Sequence, residues 1–263
     1  MKKKFNGTHD EYLELQKNYI NKITGRDGQP CEDKVTHARK RAPGDFVLFK
    51  SRFWRYRKFI NLNEKAVLLG ARLGTEVLSL RSLGHQNCIG MDVQTDYAKD
   101  ETLVEYGDFM NLKYDNDSLQ FVYTNCIDHL SDPKDFIIGL ERVMKKDSFA
   151  LFDVDTQHNS KKGFQGWDMY EPESYKELLE IFKGENRHLV SHEEAHEPFG
   201  GGCYTVLIKF GSEPTKEERA MAAAAISQAQ HKEMFEKDTA LRRQYVNLLS
   251  PMIQFATSTL MDL

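Results

Sequence analysis

The sequence predicts a doubly wound α/β fold: a mostly parallel sheet with a C-terminal antiparallel strand pair, and helical extensions at both ends. Three observations carry that prediction. Short runs that are apolar on both faces recur between residues 65 and 154 and alternate with amphipathic stretches. Strands covered by helices on each side read this way. The early runs end at Gly or Asp, where a strand hands over to a loop above the sheet. Two later runs, 187–194 and 204–210, are parted by Gly200-Gly201-Gly202 and read as an antiparallel closing pair.

Taken in order, residues 65–69 form a buried strand ending in Gly70. A helix follows over 75–83, with Val77, Leu78, Leu80 and Leu83 on one side and Gly84 closing it. Residues 88–91 make a second strand ending at Asp92, and 103–106 a weaker third before Gly107-Asp108. Residues 121–124 make a fourth strand. Phe136, Ile137, Leu140, Val143 and Met144 then fall at helical spacing over 133–144, and 148–154 is a fifth strand. A helix over 172–182 precedes the final pair. Upstream, Phe46, Phe49, Phe53, Tyr56 and Ile60 make one apolar stripe, as of a helix packed over the domain with its charges solvated. The same stretch interleaves basic and aromatic residues, a pattern that also suits RNA or a phosphorylated ligand. Residues 34–41, with His37, are placed near the mouth of the site as a lid or acceptor wall. Downstream, Pro214-Thr215-Lys216-Glu217-Glu218 opens a helix. Its apolar positions, Met221, Ala225, Met234, Leu241, Leu248 and Leu249, pack on the domain or on a second subunit, which leaves room for a homodimer. The expected division is 1–60, 61–212 and 213–263.

Composition sets bounds. A chain of 263 residues with 40% hydrophobic content buries enough surface to need no staple. With 36 basic against 40 acidic residues the net charge is −4, so bulk charge does not recruit nucleic acid. No apolar run approaches the roughly 20 residues of a membrane-spanning helix. The positive start lacks the apolar stretch of a secretory signal. Cys31, Cys88, Cys126 and Cys203 are scattered without metal spacing, as expected of reduced thiols in a cytoplasmic protein.

In an open parallel sheet, ligands bind beyond the carboxyl ends of the strands. After the first strand stands Gly70-Ala71-Arg72-Leu73-Gly74-Thr75, whose small residues let backbone approach a ligand. After the second stands Asp92, 22 positions beyond Gly70, where a carboxylate can accept both hydroxyls of a ribose. After the fourth comes Asn125-Cys126-Ile127-Asp128-His129. His129, as an imidazole, suits the removal of a proton, and Asp128 could orient it. Cys126 reads as a buried thiol. Asp128, Asp153 and Asp155 stand at strand ends, where a hard cation could find oxygen ligands. His188, His192 and His196 read as a partly solvated face rather than a site.

These residues carry a resemblance. Residues 68–75, Gly90-Met91-Asp92, Gly107-Asp108-Phe109 and 121–125, followed by the helix at 135–145, resemble the successive motifs of class I S-adenosylmethionine-dependent methyltransferases, closest to the variety called type 11. The likeness covers about residues 60–210 and implies a Rossmann-like methyltransferase domain with S-adenosylmethionine as cofactor. It implies that Gly70, Ala71, Arg72, Gly74 and Thr75 hold the methionine and ribose part, with Asp92 on the ribose hydroxyls. It also implies Asp108, after Gly107, at the adenine amino group, Phe109 over the ring, and Asn125 beside the cofactor. Two departures stand out: Leu68 where the family commonly has an acid, and Arg72 where it has a glycine. Arg72 either grips the methionine carboxylate with its planar fork or faces solvent. His129 and Asp128 occupy the place of the acceptor chemistry. The Asn/Asp-Pro-Pro-aromatic and Pro-Cys runs of DNA base methyltransferases are missing there, which disfavours DNA. The expected acceptor is a hydroxyl on a sugar or surface-glycan precursor, with a small amine such as phosphoethanolamine as the near rival. A non-catalytic scaffold and an RNA-modifying enzyme are the more distant alternatives.

Overall fold

The computed structural model describes residues 2–3, 7–19, 34–94, 101–155, 170–171, 175–194 and 203–225. At the N-terminus, β1 (Lys2–Lys3) is followed by α1 (His9–Tyr19) and a long α2 (Lys34–Tyr56). Then come β2 (Ala66–Leu69), α3 (Thr75–Arg81), β3 (Cys88–Asp92), β4 (Val104–Tyr106) and β5 (Leu119–Thr124). The order continues with α4 (Pro133–Val143), β6 (Met144–Asp155), β7 (Tyr170–Glu171), α5 (Tyr175–Phe182), β8 (Arg187–Glu194), β9 (Cys203–Phe210) and α6 (Lys216–Ala225).

Seven strands form one sheet in the order β4-β3-β2-β5-β6-β9-β8. Strands β4 through β6 are parallel, while β9 runs antiparallel to both β6 and β8. The chain winds outward from β2 through β3 to β4, then returns to add β5 on the other side of β2. The strand order therefore switches beside β2, which puts a crevice over the carboxyl ends of β2, β3 and β5.

Alternation along each strand makes two cores. Leu68, Tyr123, Leu151 and Leu207 enter the layer beneath α2, α3 and α6, with Phe49, Phe53 and Tyr56. Val67, Leu69, Val122 and Phe152 face Phe136, Leu140, Leu178 and Phe182 of α4 and α5. Phe53 is wholly buried, edge-on to Tyr123 with centroids 5.0 Å apart. Burying such a ring contributes about 1.5–3 kcal/mol. Helix α4 starts where the sequence says it should, because the Asp132 carboxylate accepts the N–H groups of Lys134 and Asp135 and Pro133 occupies the first turn.

Three expectations need correction. The apolar stripe lies on a helix that begins at Lys34 and runs through Pro43, and it ends at Tyr56, with a 3-10 turn Arg57–Phe59 after it. Its charges are not all solvated: Lys50, Arg52 and Arg55 are buried, while Arg57 and Lys58 of the turn that follows are exposed. The reason is that Asp153 of β6 and Glu193 of β8 lie under the helix and pair with Arg52 and Arg55. That removes them from any nucleic-acid-binding stripe. Third, β6 starts at Met144 rather than near 148, because α4 passes directly into extended backbone and Met144 already pairs with Leu119.

Among the described residues, no helix is long and apolar enough to cross a membrane. Residues 95–100, 156–169, 195–202 and 226–263 lie outside the description, and with them Gly200-Gly201-Gly202, His196 and the expected contacts of Met234, Leu241, Leu248 and Leu249.

Candidate active site

The turn after β2 is built by conformation. Gly70, Arg72 and Gly74 have φ of 75°, 36° and 72°, all in the left-handed region. Gly70 is required twice over, since a Cβ there would also stand 2.5 Å from the Cys126 sulfur. The Gly70 N–H donates to the Met91 carbonyl at 2.8 Å, which ties the turn to the end of β3. A Cβ on Gly90 would stand 2.6 Å from that of Ala71, so β3 can lie close against the turn only as glycine.

Asp92 ends β3 and is 6% exposed. One carboxylate oxygen accepts the Arg72 N–H at 3.1 Å and the other the Gln94 N–H at 2.8 Å. Burial raises its pKa, with the Arg72 charge and the two amides opposing. Each oxygen keeps one acceptor position, so the carboxylate can still take two hydroxyl donors. Asp108, beyond β4, accepts the Met110 N–H at 2.9 Å and lies 2.7 Å from Nε2 of His9. Phe109 stands edge-on to Phe136. His129 ends the 3-10 turn Ile127–His129 after β5, and its Nδ1 lies 2.7 Å from the hydroxyl of Tyr12, which is 3% exposed. That contact serves either tautomer: the phenol donates to a bare Nδ1 or accepts from Nδ1–H.

These groups line one cleft of about 580 Å³, counting the space open to solvent. Of the residues expected from the sequence, Gly70, Arg72, Asp92, Asp108, Phe109 and His129 line it. Ala71, Gly74 and Thr75 are buried within the turn behind it. Gly107 backs Asp92, donating its N–H to the Asp92 carbonyl at 3.1 Å. Asn125 is outside the lining and lies 3.3 Å from the Cys126 thiol through its Oδ1, and the Asp128 side chain lies outside the description.

Among solved structures, the chain matches one from the complex between the Haloferax volcanii Trm112 methyltransferase activator and a methyltransferase, with a TM-score of 0.54 and 18% identity over 68% of this chain and 95% of that one. A SAM-dependent methyltransferase from Aquifex aeolicus matches with a TM-score of 0.51 and 18% identity, over 68% of this chain and 100% of that one. Another from Mesorhizobium loti matches with a TM-score of 0.51 and 11% identity, over 60% and 97%. The fold is that of class I S-adenosylmethionine-dependent methyltransferases. No protein-family model and no curated protein matches the sequence. At these identities the likeness is one of fold, and what this methyltransferase-fold chain does must be argued from its own residues.

Against that fold, Leu68 is wholly buried in the apolar layer beneath α2 and α3. A buried acid does follow the turn: Glu76, the second residue of α3, whose carboxyl is pushed up to about 8 by burial, with Asp45 and Asp92 adding to the rise and Arg72 opposing it. The acids weighed as metal ligands are otherwise engaged where described. The Asp153 carboxylate accepts from Arg52 at 2.5 Å, Tyr123 at 2.7 Å and Thr205 at 2.8 Å. Among the described residues, no group of three metal-ligating side chains is placed to hold an ion. His188 is tied to the Gly211 carbonyl and Glu213, and His192 is exposed on the same strand.

Sequence reasoning missed α1. Among the described residues, His9, Tyr12 and Leu13 of α1 line the cleft, while the side chains of most of 34–41, His37 among them, lie outside the description, and with them the lid expected there. A signal was present. Thr8 and Glu11 form a reciprocal capping box, Thr8 N–H to Glu11 at 2.7 Å and Glu11 N–H to Thr8 at 3.2 Å, and Thr-x-x-Glu marks a helix start.

Proposed function

We propose that this protein is an S-adenosylmethionine-dependent methyltransferase that acts on a hydroxyl of a small molecule, with a sugar or surface-glycan precursor as the acceptor class. Residues 61–212 are the transferring domain, flanked by an N-terminal cap over 1–60 and a C-terminal extension over 213–263. The observation that carries this reading is the joint placement of Asp92 and His129 on one cleft over the switch in strand order.

The cleft residues fit the cofactor. Asp92 has an acceptor position left on each oxygen, which suits a vicinal diol. Asp108 offers a carboxylate to the adenine amino group, Phe109 an apolar surface for the ring, and the turn at 70–75 a backbone floor for the rest. When bound, the cofactor supplies an electrophilic methyl group on a sulfonium. The chain's own residues hold the acceptor in line and exclude water, and positioning of that kind supplies much of the rate. A hydroxyl must also lose its proton. His129 takes it, and Tyr12 fixes the ring on the other side through Nδ1. Asp128 adjoins it in the chain.

Calorimetric titration with S-adenosylhomocysteine tests the cofactor assignment. Binding to the wild-type protein that is abolished by Asp92→Ala supports it, and undiminished affinity in that variant overturns it. A panel of hydroxyl and amine acceptors then separates O-transfer from N-transfer, and binding without any turnover points to a scaffold.

A further inference from the structure

Helix α1 meets the cleft at two points with unequal footing. Tyr12 is buried and bonded to His129, whereas His9 and Leu13 are half-buried and Asp10, Glu11 and Glu14 exposed. The segment is rooted at the Tyr12 end too, since β1 pairs antiparallel with β7, and β7 lies against the turn that carries His129. The other end is fastened by His9. A carboxylate only accepts, so Nε2–H of His9 donates to Oδ2 of Asp108, at 2.7 Å. Little holds that contact. The two side chains are 28% and 21% exposed, and pairs so open to water contribute little. Closure also has a cost: Nδ1 of His9 is sealed from water with no hydrogen-bond partner among the described residues, and a sealed, unpaired polar atom opposes it. Gain and cost lie close together, so this end of α1 is poised between shut and open, as low-stability elements beside a site are. The capping box of Thr8 and Glu11 keeps the first turn helical by itself, so it can leave as a unit.

We infer that His9 is the catch of a lid: α1 shuts the adenine end of the cleft through His9 and Asp108, and the cofactor opens it by taking His9's place. The inference rests on the methyltransferase reading. Oδ1 of Asp108 already accepts the Met110 N–H, so Oδ2 is the oxygen without a backbone donor, and His9 sits on it. The adenine amino group takes over Oδ2 as His9 swings away, with Tyr12 staying anchored on His129. A shut fraction lowers the apparent affinity in proportion, and it does so through association, because ligand enters only the open fraction.

The test follows S-adenosylhomocysteine binding to the immobilised full-length protein by surface plasmon resonance, for wild type, His9→Ala and His9→Gln. Removing an exposed pair frees a shut cleft by a factor of up to about five. His9→Ala is expected to associate about 2- to 5-fold faster, with dissociation within about 1.5-fold of wild type. His9→Gln, whose amide can still donate to Asp108, should fall in between, and it carries the same test should His9→Ala fail to fold. Unchanged association in both variants overturns the catch. So does weaker binding through faster dissociation, which would keep His9 in contact with the bound ligand. Either result leaves the cofactor reading standing, whereas wild-type protein that binds no S-adenosylhomocysteine overturns both.

Discussion

Replacing Asp153 by Asn asks whether the buried cluster under α2 is held by its charge. Asp153 and Arg52 are 4% and 3% exposed, and a carboxylate oxygen lies 2.5 Å from Nη1. At an effective dielectric of about 20 the gross attraction at that distance is roughly 6–7 kcal/mol, most of it offset by the desolvation of both ions. Asparagine keeps the shape but only one acceptor oxygen, where the Tyr123 hydroxyl donates to one carboxylate oxygen and the Thr205 hydroxyl to the other, and it removes the counter-charge. The guanidinium cannot shed its proton near neutral pH, so it stays charged in a site that water does not reach. Breaking a buried pair from one side costs about 3–5 kcal/mol. For a chain of this size each kcal/mol moves the midpoint by roughly 2–4 °C, so thermal melts followed by circular dichroism should fall by roughly 6–20 °C. Adding Arg52→Met removes the stranded cation and should recover at least half of the loss. A single variant that melts within about 2 °C of wild type, or a double variant no more stable than the single, refutes the charge account.

The other predictions are shorter. Glu76, with its carboxyl pushed up to about 8 by burial, stays protonated in the folded chain while the unfolded chain ionises near 4.5. Its contribution is therefore complete below about pH 4.5 and is lost as pH rises through 8, with a slope of up to about 1.4 kcal/mol per pH unit. Glu76→Gln should remove on the order of 2 kcal/mol of the decline in stability between pH 5 and 7, and parallel denaturation curves for the two proteins would exclude this. His129→Ala should keep S-adenosylhomocysteine binding and slow transfer to a hydroxyl acceptor by roughly 10²–10⁴-fold. Tyr12→Phe should slow transfer less and shift its pH profile, and unchanged rates in both variants would remove the pair from the chemistry.

Much of the scaffold was legible before any coordinates. The strands read at 65–69, 88–91 and 121–124 were legible because burial leaves short, largely apolar runs there, whereas the one at 103–106 was weaker because Glu105 interrupts it and Tyr106 is exposed. Asp92 was readable because its place follows from the strand it ends, and Gly70 because a tight turn there tolerates little else. What the strands' neighbours would do was less visible. Arg52 and Arg55 carry the same letters as solvated charges, and only their partners distinguish them.

From sequence alone came the periodicities, the turn chemistry and the acids at strand ends, all of which are local and need only a few neighbouring residues to express. The tertiary structure decided the contacts between distant segments: His9 with Asp108, 99 residues apart, Arg52 with Asp153, 101 apart, and Tyr12 with His129, 117 apart. Such pairs leave no periodic trace. They form because the sheet brings the ends of β4, β5 and β6 to one edge, where α1 and α2 then find carboxylates and an imidazole within hydrogen-bonding reach.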